Sequence, residues 1–89
     1  VIEREIEIVN RLGLHARAAA KLVHLAGSFA CDVTLSQDGD QVDGKSILGI
    51  LLLAAGQGAR ISVRCSGSDE EEAMAAIVAL IADKFGEGS

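Results

Sequence analysis

"VIEREIEIVNRLGLHARAAAKLVHLAG", residues 1–27, changes its hydrophobic rhythm once, and that change decides the fold. Ile2, Ile6 and Ile8 alternate with Glu3, Glu5 and Glu7, the two-residue period of a strand with one apolar and one charged face, interrupted only by Arg4. From Ala16 to about Ala26 the period lengthens. Ala19, Leu22, Val23 and Ala26 fall at i, i+3, i+4 and i+7, the apolar stripe of an amphipathic helix that Gly27 terminates, while Arg17, Lys21 and His24 share its polar side.

The same two rhythms continue outward. Cys31, Val33 and Leu35 alternate with Asp32, Thr34 and Ser36, and Asp38-Gly39 is a hairpin turn into a short strand around Gln41 to Asp43. Ser46 caps a second helix over Ile47 to Ala55, and the loop "AGQGA" leads to a strand with Ala59, Ile61, Val63 and Cys65 inward and Arg60, Ser62, Arg64 and Ser66 outward. Ser68 with Glu71 reads as a capping box for a third helix. Its buried stripe is Met74, Ile77, Val78, Ile81 and Phe85, and "GEGS" follows as a short polar tail. The order βαββαβα, with every strand half polar, predicts an α+β open-faced β-sandwich: a four-stranded antiparallel sheet carrying three helices on one face.

Residues 1–89 suit one domain, and 49% hydrophobic content is enough for a single core. Thirteen acidic residues against eight basic ones give a charge of −5, and aromatic content is 2% with no Trp or Tyr, which argues against nucleic acid as a partner. The apolar run Ile47 to Ala55 is broken by Gly49 and is far shorter than the ~20 residues of a membrane span, and the N-terminus has no signal-peptide pattern. The expectation is a soluble, cytoplasmic protein without membrane insertion. Cys31 and Cys65 stand in no metal-ligand spacing and on apolar phases of their segments, so they read as buried free thiols, with a disulfide as the lesser alternative. His24 lies nine positions beyond His15, about 13 Å along a helix, too far to share a metal with it. No metal or cofactor is expected.

His15 carries the chemistry. A helix opens with unpaired backbone N–H groups and partial positive charge, and Gly13, Leu14 and His15 bring no capping oxygen. The amides of Ala16, Arg17 and Ala18 are therefore open to an external oxyanion such as phosphate. The same positive end disfavours imidazolium, leaving a neutral, nucleophilic ring, and Arg17 on the first turn can balance a phosphoryl charge. Gly13 permits close approach by another protein's backbone. The plainer alternative is a histidine that only hydrogen-bonds a neighbouring backbone group.

"GDQVDGKS", Gly39 to Ser46, matches the phosphate-binding P-loop pattern, but Gly39 already belongs to the hairpin turn and the residues between read as a returning strand. In the helix after it, Ile50, Leu53 and Ala54 pack inward at i, i+3 and i+4. Ile47, Leu48 and Leu51 then form an exposed apolar patch, rimmed by Lys45 and Arg17, suited to an acidic partner surface, unless all of them serve as core or cover a loop. A phosphate on Ser46 would place negative charge beside that patch.

"GLHARAAAKLV" and "GKSILGILLLAAGQGA", in this order and separation, resemble HPr, the histidine-containing phosphocarrier family of the bacterial phosphotransferase system, over Ile6 to about Phe85. The resemblance implies that His15 takes a phosphoryl group on Nδ1 from phosphorylated Enzyme I and passes it to the A domain of a sugar-specific Enzyme II, with Arg17 contacting the phosphate. It also implies that Ser46 is the regulatory serine modified by an HPr kinase/phosphorylase in many bacteria. Ala20, Lys45, Ile47, Leu48 and Leu51 match the partner interface, and the protein is expected to act as a monomer. A nitrogen-branch or purely regulatory paralogue acting by protein binding is the alternative. The family usually has proline after the arginine; here Ala18 restores an amide donor and favours the helix, which bears on rate and on which phosphotransferase branch is served rather than on chemistry.

Overall fold

The computed structural model describes residues 1–88; Ser89, the last residue of the expected polar tail, lies outside the described residues. Its elements run β1 (Ile2–Glu7), α1 (Ala16–Gly27), β2 (Asp32–Gln37), β3 (Asp40–Asp43), α2 (Ile47–Leu53), β4 (Arg60–Ser66) and α3 (Glu70–Ala82), with a 3₁₀ turn over Lys84–Gly86. The strands form one antiparallel sheet in the order β1-β4-β2-β3. β4, the most regular alternation in the chain, is central: Ile6 faces Ile61 on one side, and Leu35 faces Val63 on the other.

Inward-facing residues of the sheet meet the helices in one core. Val33, Leu35, Ile61, Val63 and Cys65 pack against Ala19, Leu22 and Ala26 of α1, Ile50 of α2, and Ile77 and Ile81 of α3. Opposite sheet residues such as Arg60 and Arg64 remain exposed. Cys31 and Cys65 are free and buried. Burial pushes the Cys31 thiol up to about 11 and raises Cys65 in the same direction. The hairpin turn is as expected, with Asp38 at φ 51° and Gly39 at φ 89°, two left-handed residues whose twist matches that of the flanking strands.

Four local expectations are corrected. α2 stops at Leu53 rather than Ala55. Ala54 adopts a left-handed φ of 54° and is exposed, and Ala55 is the residue that turns inward. Val78 lies at the edge of the α3 stripe, 36% exposed, because Ala73, Met74, Ile77 and Ile81 already complete the buried face. Phe85 is buried but does not continue α3, since Lys84 and Phe85 both have positive φ.

The capping box at Ser68 and Glu71 does not form. The N-cap is Asp69, whose carboxylate is diverted from its own helix to the amides of Ala30 at 2.8 Å and Cys31 at 2.9 Å. Glu70 takes the reciprocal place instead, accepting from the Gly67 amide at 3.0 Å. A tie between the α1–β2 loop and the start of α3 has replaced a local cap. The Ala30 and then the Cys31 amide hold the Asp69 carboxyl below the usual carboxylate range.

Candidate functional site

His15 is the N-cap of α1, with extended backbone at φ −76° and ψ 177° and no side-chain cap bond. The first amide to bond into the helix is that of Ala19, to the His15 carbonyl at 2.8 Å. Among the described residues the amides of Ala16, Arg17 and Ala18 meet no backbone acceptor, and no acidic residue occupies the first turn. These donors thus lack a backbone partner at the helix start that His15 caps; Ala16 and Arg17 line one pocket with His15, whereas Ala18 is fully buried.

The approach to His15 is set by Gly13, at φ 66°. A Cβ built there would stand 2.6 Å from the Ala55 carbonyl oxygen and 2.7 Å from Gly56 Cα, while the Leu14 amide donates to Ala55 O at 2.9 Å. The close neighbour in the fold is this chain's own α2–β4 loop. Only glycine combines that φ with that contact.

The sequence reading missed two residues at the ring. Glu87, expected to be part of a polar tail, accepts from His15 Nε2 through Oε2. Its Oε1 accepts from Asn10 Nδ2 at 3.0 Å, and Asn10, fully buried, also donates from Nδ2 to the Gly13 carbonyl at 2.8 Å. The Asn10 amide, and after it the His15 ring, hold the Glu87 carboxyl below its ordinary range, so it is ionised at neutral pH. With Nε2 engaged as donor, a neutral ring carries its lone pair on Nδ1. The only sequence signal for Asn10 was a polar residue closing the apolar phase of β1; Glu87 had none, because it lies 72 positions from His15.

Arg17 is exposed and lines, with Leu12, His15, Ala16, Gly86 and Glu87, a pocket of about 590 Å³. Ala20, one turn further along α1, is exposed; His24 is exposed beyond it. Ile47, Leu48 and Leu51 are exposed by 44%, 67% and 36%, and Leu52, which the sequence reading left out of the patch, is exposed by 73%. Leu12, 66% exposed, adds a further apolar side chain at the pocket rim. Ile50 and Leu53 pack inward as expected. Lys45 is not a free rim cation: its Nζ donates to the Phe29 carbonyl at 2.8 Å.

That bond, the strand over Asp40–Asp43, and Gly44 pressed against Val33 leave no anion nest in the Gly39–Ser46 segment. Ser46 is the N-cap of α2, its Oγ accepting from the Gly49 amide at 3.1 Å. Among the described residues no three His, Cys, Asp or Glu side chains gather as metal ligands, and no helix is long and apolar enough to cross a membrane.

Known proteins resemble this chain over nearly its whole length. Residues 2–83 match the family model described as "PTS HPr component phosphorylation site". A phosphocarrier protein HPr from Cupriavidus necator is 53% identical over 88 residues, 99% of each chain. A phosphocarrier protein NPr from Shewanella violacea is 43% identical over 88 residues, covering 99% of this chain and 97% of that one. The crystal structure of HPr-C-His from Thermoanaerobacter tengcongensis superposes with a TM-score of 0.95 at 45% identity, covering 98% of both chains. On its sequence, its antiparallel sheet with three helices and its structural likeness, this chain belongs to the HPr family of phosphocarriers of the phosphotransferase system.

Proposed function

We propose that residues 1–89 act as one phosphocarrier unit in which His15 accepts a phosphoryl group on Nδ1 from phospho-Enzyme I and passes it to the A domain of a sugar-specific Enzyme II. The observation that carries this is the His15 ring at the start of α1, its Nε2 engaged by Glu87, where the amides of Ala16, Arg17 and Ala18 lack a backbone partner. In the transfer, the Nδ1 lone pair forms a bond to phosphorus as the donor's P–N bond breaks, its electron pair returning to the donor ring. The open amides and the Arg17 guanidinium meet the phosphoryl oxygens, and alignment of the two histidines lowers the barrier. The phosphorylated state needs no metal or cofactor from this chain.

Ile47, Leu48 and Leu51, with Ala20, form the docking surface for both partners; Lys45 supports it by fixing the α1–β2 loop at Phe29. Phosphorylation of Ser46 by an HPr kinase/phosphorylase adds close to two negative charges at the start of α2 and weakens docking to an acidic surface. The protein works as a monomer in the cytoplasm, serving sugar uptake.

The test is incubation with phosphoenolpyruvate and Enzyme I. One acid-labile, base-stable phosphate is expected, abolished by His15→Ala; a protein that binds without phosphotransfer would take up none. Ser46→Asp slows transfer from Enzyme I, and unchanged kinetics would remove the regulatory reading. The NPr relative favours one alternative, a nitrogen-branch carrier. Faster phosphorylation by the nitrogen-branch counterpart of Enzyme I than by Enzyme I itself would select it.

A further inference from the structure

Four contacts converge to bring a distant carboxylate onto the ring of His15. Glu87 Oε2 accepts from His15 Nε2, and Glu87 Oε1 accepts from Asn10 Nδ2 at 3.0 Å. Asn10 is fully buried and its amide cannot turn over: Nδ2 faces two acceptors, Glu87 and the Gly13 carbonyl at 2.8 Å, and a flip would set oxygen against both. Its Oδ1 has no hydrogen-bond partner among the described residues, an arrangement that proteins seldom keep without cause.

The backbone leading to Glu87 is strained as well, with φ of 56° and 55° at Lys84 and Phe85. The Phe85 side chain, fully buried, and Lys21 Nζ, donating to the Phe85 carbonyl at 2.5 Å, hold it there. Left-handed non-glycine residues persist where surrounding contacts over-determine them, and they gather at functional sites.

We infer that Glu87 is a positioning residue for phosphoryl transfer: through Nε2 it fixes the His15 tautomer that presents Nδ1, and it balances the charge the ring gains as Nδ1 bonds to phosphorus. The inference rests on the phosphocarrier reading. Nε2 keeps its proton throughout, so the ring becomes cationic beside a carboxylate that is already ionised, and no proton has to leave the site. The role parallels that of the carboxylate that orients the histidine in serine-protease triads. Asn10 holds the carboxylate in turn.

Two measurements on the full chain test this, with Glu87→Gln removing the charge at constant shape and Glu87→Asp restoring it on a shorter arm. The first is the ¹⁵N spectrum of the unphosphorylated His15 ring at alkaline pH. Wild type shows protonated Nε2 and bare Nδ1, and Glu87→Gln shifts both signals toward a mixture of tautomers. The second is the rate of phosphorylation by Enzyme I and phosphoenolpyruvate. Glu87→Gln lowers kcat by roughly ten-fold, the scale of losing an outer partner of a working histidine, with KM for Enzyme I unchanged and part of the rate recovered in Glu87→Asp. Identical ring signals in wild type and Glu87→Gln, an unchanged kcat, or a change confined to KM would each overturn the inference. A wild-type protein that shows the tautomer but takes up no phosphate would instead overturn the phosphocarrier reading beneath it.

Discussion

Replacing Gly13 by alanine perturbs the one contact that sets the turn before His15 against the rest of the fold. The residue sits at φ 66°, where an L side chain costs about 1–2 kcal/mol. The added methyl would lie 2.6 Å from Ala55 O and 2.7 Å from Gly56 Cα, and both are backbone atoms that no rotamer change can move aside. Forcing them apart adds about 1–3 kcal/mol, by analogy with an overpacked core, for a total of about 2–5 kcal/mol. In a domain whose whole stability is of order 5–15 kcal/mol that is a large fraction, and at 4–8 °C per kcal/mol it lowers Tm by roughly 8 °C or more. Gly39→Ala is the control: its φ is 89°, but nothing stands within 4 Å, so it meets the backbone penalty alone. Urea unfolding of the three proteins, compared at constant m, separates the two costs. If Gly13→Ala proves no more destabilising than Gly39→Ala, the steric reasoning is wrong. Because Leu14 N bonds to Ala55 O, Gly13→Ala also displaces the segment that carries His15, and its phosphorylation should slow even under conditions where it remains folded.

Three further outcomes are expected. Asp69→Asn lowers the urea midpoint at pH 7, and its deficit shrinks on acidification: a carboxyl held below its ordinary value of 3.8 stabilises the fold above that pH and loses the effect as pH falls through the depressed value. A deficit that stays constant down to pH 2 would contradict this. Leu48→Ser, at a residue 67% exposed, changes stability by less than about 0.5 kcal/mol but raises KM for Enzyme I, whereas Ile50→Ala, fully buried on the same helix, costs about 2–5 kcal/mol; equal stability losses would mean that the two faces of α2 are misassigned. Iodoacetamide at mildly alkaline pH labels neither Cys31 nor Cys65 in the folded protein and both in concentrated urea, since burial keeps the thiols protonated and enclosed. Rapid labelling of the native state would show that this end of the core opens.

Much of this protein is written in short-range pattern. The two-residue rhythm of Ile61, Val63 and Cys65 and the helical spacing of Ala19, Leu22 and Ala26 each report which side of a local element is apolar, and those sides are the ones buried. His15 at an uncapped helix start, the Asp38-Gly39 turn and the exposed Ile47, Leu48 and Leu51 were equally legible, because propensity, caps and turn geometry act over a few residues. Tertiary structure decided the rest. It placed β4 between β1 and β2, drew Asp69 away from its own helix to the amides of Ala30 and Cys31, and ended α2 at a left-handed Ala54. It also carried Glu87 across 72 positions to His15, using a buried Phe85 and a Lys21 bond as anchors. A carboxylate finds such a partner only after loop closure has brought both ends of the chain over one core, and no periodicity records where the closure ends.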